Sequence, residues 1–174
     1  MRFVQLPNMP ADQEASWRAL IELSVRVPTG WCVVGGQMVH LHGWERGVRG
    51  LRATNDGDAV LDIRSRGDML LRFTTALEAI GFVSSGESME GHQHRWEREN
   101  AQIDVLIPTG IGERAALRKG ASGGTTIQAP GAQGRTGHCG SHRGSSWRRF
   151  GNHLLSDFAR SHRGQSCGLH CGGR

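Results

Sequence analysis

Residues 52–58 read RATNDGD, and the fold turns on whether this is a surface turn or the start of a strand that carries two carboxylates. Taken alone, Asn55-Asp56-Gly57 is turn chemistry, because Asn, Asp and Gly accept left-handed backbone angles and bond their own backbone. The residues that follow argue for a strand. DAVLDIR, at 58–64, alternates in part and is rich in strand formers, so Asp56 and Asp58 fall at a strand's beginning. Side chains two apart on a strand share a face, with Cα atoms about 6.6 Å apart. Two carboxylates so placed repel unless a cation neutralises them, and Mg²⁺ or Mn²⁺ with phosphate oxygens is the natural hard partner.

Upstream, Ala15, Trp17, Leu20, Ile21, Leu23 and Val25 suit an amphipathic helix over residues 11–26, ended by Pro28-Thr29-Gly30. WCVV at 31–34 reads as a short buried strand. Gly35-Gly36 then turns the chain into a short helix carrying Met38, Val39 and Leu41, and residues 43–52 read as a loop. Downstream, Met69, Leu70, Phe73, Ala76, Leu77 and Ile80 stand at helical core spacing, with Gly81 as the stop. Strands fit HQHRWERE at 92–99 and QIDVLIP at 102–108, joined through Asn100, and TTIQA at 125–129 reads as an edge strand. Strand and helix alternate, so the expected class is α/β. Asp104 can add a third carboxylate if its strand lies beside the first, since neighbouring strands are about 4.8 Å apart.

The chain has 174 residues, enough for one substantial core. Its opening residues lack the apolar segment of a secretory signal, and the uncharged run at 27–44 is interrupted by Gly, Thr, Gln and His. The expectation is a cytoplasmic protein with no membrane partner. The formal charge of +5 hides an asymmetry: residues 1–114 hold 12 basic and 15 acidic side chains, whereas 115–174 hold 9 basic side chains and only Asp157. An anionic partner is therefore not implied for the ordered part by charge alone. Cys167 and Cys171 stand near His138, His153 and His170, but without paired ligand spacing or an apolar frame this reads as incidental clustering.

The periodic order stops near Gln133: no Val follows Val105, no Glu follows Glu113, no Lys follows Lys119 and no Ile follows Ile127. Such a Gly-, Arg-, Ser- and His-rich segment buries too little apolar surface to offset about 1–2 kcal/mol of backbone entropy per residue. Residues 131–174 are expected to be a disordered tail behind a domain at 1–130. Arg with Trp147 and Phe150 would suit a single-stranded nucleic-acid arm, but the composition better matches GC-rich coding DNA read in a shifted frame.

Three segments together, VVGGQMVHLHG, RATNDGDAVLDIR and HRWERENAQIDVLIP, resemble the nucleotidyltransferases of the DNA polymerase β-like superfamily, particularly the AbiE-type toxins and related small bacterial enzymes. That pattern is Gly-Gly or Gly-Ser opening a helix, Asp-x-Asp on one strand and a third Asp on a later strand. The resemblance covers about residues 27–130. It implies a mixed sheet flanked by helices, with Gly35, Gly36 and Gln37 against a nucleoside triphosphate whose phosphates meet helix-start amides. It implies metal binding by Asp56, Asp58 and Asp104, with Asp104 also activating the attacking hydroxyl. Arg52 and Thr54 match an Arg-x-Thr that steadies phosphate or the loop. The implied reaction is Mg-dependent transfer of a nucleoside monophosphate to a hydroxyl acceptor, RNA or protein, with an antitoxin as candidate partner.

Two features depart from the pattern. Gly57 replaces the usual apolar residue between the aspartates, and no helical acceptor-binding region follows. The competing reading is a truncated, non-catalytic nucleotide-binding or interaction protein. Other candidates have plainer readings: His40 and His42 as packing or solvated groups, His92 and His94 on an exposed strand near Asp104, Trp96 in the core, and Asp62 as a polar strand position.

Overall fold

The computed structural model describes residues 7–48, 52–88 and 91–129. The tail at 131–174, with its expected disorder and its cysteines, lies outside the described residues. Helix α1 spans Ala11–Arg26 and buries Gln13, Ser16, Trp17, Leu20, Leu23 and Ser24, a set at i, i+3, i+4 and i+7. On its solvent side Arg18 pairs with Glu14, four residues back. The helix ends at Val27, the residue before Pro28, where the pyrrolidine ring disfavours helical backbone.

Strand β1 (Trp31–Val34) leads directly into helix α2 (Gly35–Glu45), and β2 covers Asp56–Leu61. Helix α3 (Met69–Ala79) is followed by β3 (Val83–Ser84), β4 (Arg95–Arg98), β5 (Ala101–Pro108), the single turn α4 (Glu113–Ala116) and β6 (Ile127–Ala129). The strands form one mixed sheet in the order β1-β2-β5-β4-β3. β2 and β5 are parallel at its centre; β1, β4 and β3 join antiparallel to their neighbours. β6 runs parallel to the end of β5, pairing at Leu106 to Pro108 beyond the stretch that β4 covers.

Alternation along the strands gives the sheet two unlike faces. Gly57, Ala59 and Leu61 of β2, Ile103, Val105 and Ile107 of β5, and Trp96 of β4 are buried in the core with Leu20 and Leu23 of α1 and Leu70, Phe73 and Leu77 of α3. Phe73 meets the Trp31 ring edge-on at 5.1 Å. The opposite face carries Asp56 and Asp58, Gln102 and Asp104, and Arg95 and Glu97. A helix-covered face thus holds the fold while the other presents polar groups.

Gly57 has a packing role. A Cβ there would stand 2.8 Å from Ile103 Cδ1 and 3.2 Å from Leu20 Cδ1, so the missing side chain is the space through which α1 approaches the sheet.

The α/β class and the mixed sheet with flanking helices agree with the sequence reading. Several boundaries differ. Helix α2 continues through Gly43 and Trp44, expected as loop, because the Trp44 ring packs against Trp17 at 5.4 Å and His40 at 5.3 Å. The strand expected from His92 begins only at Arg95; His92 makes a single bridge to Thr125. Asp62 lies just past the end of β2, where its Oδ1 accepts from the Ser65 amide at 3.1 Å. No helix among the described residues is long and apolar enough to cross a membrane.

Candidate metal centre

The acidic residues converge through strand register. β2 and β5 are parallel neighbours with Asp58 directly opposite Asp104 and Asp56 opposite Gln102. Because Asp56 and Asp58 share a face, all three carboxylates meet on the open side of the sheet, each offering an oxygen within 4.8 Å of the others. Asp104 is buried, while Asp56 and Asp58 are half-buried. Burial raises the pKa of Asp58 from 3.8 to about 6, reinforced by Asp56 and then Asp104 and opposed by Arg95. Desolvated, mutually repelling carboxylates are the environment a cation relieves.

Helix α2 begins against this cluster. Gly35 has φ +62°, and a Cβ on it would overlap Asp58 Oδ2, so a larger residue would fill the space the carboxylate occupies. No side chain caps the first turn of α2 and no acidic residue lies within it. Its leading amides are hydrogen-bond donors at the positive end of the helix dipole. The three carboxylates lie close enough together to hold a metal ion, and an all-oxygen donor set suits a hard cation better than a soft one.

The loop before β2 is held from below by a buried polar network. Gln37 is fully buried, and its Nε2 donates to the Thr54 carbonyl at 2.9 Å. His40 Nε2 lies 2.7 Å from the Arg52 carbonyl, which can only accept, so Nε2 carries the proton; Nδ1 then accepts from Gln13 Nε2 at 2.8 Å. Ser16 donates to the Asn55 carbonyl at 2.6 Å and accepts from the Gln102 amide at 3.1 Å, joining the starts of β2 and β5 through α1. Thr54 Oγ1 donates to Asp56 Oδ1 at 2.6 Å. The Gln37 side chain is thus bonded within the interior, to Gln13 and to the Thr54 carbonyl. Gly36, Val39, His40, Arg52, Ala53 and Thr54 line a groove of about 490 Å³ beside α2. Thr54, bonded to Asp56, is its link to the carboxylates, and the Arg52 residue is exposed at its rim.

Arg95 was not anticipated from the sequence. It stands opposite Asp104 on β4 and grips it with both arms of the guanidinium, Nε to Oδ1 and Nη2 to Oδ2, each at 3.0 Å. The Asp104 hydrogen bonds push the Arg95 pKa further up. Arg95 shares a face with Glu97 across the buried Trp96, as in any half-buried strand, and only the β4–β5 register brings it to Asp104. Gln13 and Ser16 left a fainter trace, as polar residues at core positions of the α1 stripe.

Among the described residues, the remaining histidines lie outside the carboxylate cluster. His42 pairs with Glu45 at 3.0 Å. His92 Nδ1 lies 2.8 Å from Thr125 Oγ1, and the His94 carbonyl accepts from the Val105 amide at 2.7 Å. Comparison with models of known protein families, with curated proteins and with solved structures finds no match.

Proposed function

We propose that the protein is a divalent-metal-dependent nucleotidyltransferase, moving a nucleoside monophosphate from a nucleoside triphosphate to a hydroxyl acceptor, with RNA as the candidate acceptor. One observation carries the reading: Asp56, Asp58 and Asp104 come together on adjacent parallel strands, beside a helix that opens on Gly35-Gly36. Asp56 and Asp58 would hold the metal that accompanies the triphosphate. Asp104 would complete the site and draw the proton from the attacking hydroxyl. Amides of the first turn of α2 would receive phosphate oxygens. When bound, Mg²⁺ supplies neutralisation of charge on the transferred phosphoryl group. Thr54 orients Asp56, and the network of Gln13, Gln37 and His40 keeps the preceding loop in place.

Titration calorimetry with Mg-ATP, Mg-CTP, Mg-GTP and Mg-UTP, alongside a pyrophosphate-release assay with RNA, tests the proposal. Binding of at least one nucleotide, lost in Asp58→Asn, is expected. Failure of all four to bind would remove the reading.

A second reading, a nucleotide-binding protein without transferase activity, is favoured by the Arg95 pair, which occupies both oxygens of the proposed proton acceptor. Binding without pyrophosphate release on any acceptor would select it.

A further inference from the structure

The Arg95–Asp104 pair lies at one end of an ordered row. Register places Val34, Asp58, Asp104 and Arg95 side by side across β1, β2, β5 and β4. At the Val34 end, α2 begins with its uncapped amides. Donors therefore flank the acids on both sides: the helix start at one end, the guanidinium at the other. The row spans about 14 Å between its outer Cα atoms at ordinary strand spacing, and the long arginine arm shortens that distance.

With a hydrogen bond from Arg95 on each oxygen, Asp104 keeps fewer lone pairs to direct at a metal. Its side chain is 11% exposed, so it has little freedom, whereas that of Arg95 is 41% exposed and can swing along the open face. A neutral acceptor lies beside it: with its amide oxygen facing Arg95, Gln102 accepts from Nε and Nη2, both at 3.2 Å. A guanidinium fork matches phosphate oxygens as well as it matches a carboxylate.

We propose that Arg95 is an exchangeable cation of this site: it holds Asp104 while metal is absent, and transfers its hydrogen bonds to the phosphates of an incoming metal–polyphosphate, freeing Asp104 for the metal. This rests on the nucleotidyltransferase reading and adds a regulation to it. Metal alone competes with Arg95 for the Asp104 oxygens with no new anion to receive the guanidinium, so it binds weakly. Metal with polyphosphate provides that anion, so the two ligands bind cooperatively, each raising the affinity of the other by the same factor.

The test is calorimetry on the full chain, as parent, Arg95→Ala and Arg95→Lys, with MnCl₂ alone and with inorganic tripolyphosphate at saturating Mn²⁺. Arg95→Ala should bind Mn²⁺ alone about fivefold or more tightly than the parent, and tripolyphosphate in the presence of Mn²⁺ about fivefold or more weakly, within the usual range of coupling between sites. Arg95→Lys keeps the charge without the fork and should fall between the two, which also guards against loss of fold in the alanine variant. Opposite signs for the two affinities are what a purely structural arginine would not produce. If the parent binds both ligands and the variants weaken both or change neither, the exchange idea is overturned while the nucleotide-site reading stands. If the parent binds neither, both fall.

Discussion

Asp58 sits where the chain spends stability on its own charge. Folding raises its pKa from 3.8 to about 6 through burial and the nearby Asp56 and Asp104 carboxylates. Between those values the folded protein holds a proton that the unfolded chain has released, so stability contributed by this group falls as pH rises across the interval and levels off above it. Asp58→Asn removes the titration. In EDTA, its stability relative to the parent should increase from pH 4 to pH 6.5 in denaturant melts; a constant difference over that range would show that Asp58 is not strained. Metal affinity of the parent should rise over the same interval, because proton and metal compete for the same oxygens. Gly35 completes this picture at the residue scale, since its left-handed backbone and absent side chain let the carboxylate reach the start of α2.

Helix α1 does two jobs through one buried stripe. Leu20 and Leu23 pack on the sheet, while Gln13 and Ser16 reach the loop and the strand ends that carry the acids. Gly57 sets how closely this helix approaches, with Leu20 and Ile103 filling the space above it. Gly57→Val would place an apolar side chain between the two aspartates, and should destabilise the protein by about 1–3 kcal/mol through overpacking. It should also weaken metal binding by shifting β2. Chemical denaturation and Mn²⁺ titration of the variant check both; a variant as stable as the parent would mean that α1 can move away without cost. The alternation of apolar and polar residues made α1, β2, α3 and β5 legible in the sequence. The end of α2 was not, since Gly43 and Trp44 look like loop until Trp17 is seen to receive the Trp44 ring.

For the whole molecule, the proposed nucleotide site predicts that stability depends on ligand. A ligand that binds only the folded state contributes RT ln(1 + [L]/Kd), about 2.7 kcal/mol at a hundredfold excess over Kd. The melting temperature of the parent should therefore rise with Mg²⁺ and a nucleoside triphosphate together, and Asp104→Asn should lose that gain. An equal rise in Asp104→Asn would place the ligand elsewhere. What the sequence by itself determined is local: the helical and strand periods, the glycine pair before α2, and the sharing of one face by Asp56 and Asp58, all of which follow from repeat geometry within a single element. That Asp104 is the third member was an expectation that depended on strand order. Only the tertiary structure placed β5 parallel to β2 with Asp104 opposite Asp58, turned Gln37 inward, and brought Arg95 from β4 onto Asp104. Those outcomes depend on which strands pair and in what register, which the pooled packing of α1, α3 and the sheet decides and no single segment contains.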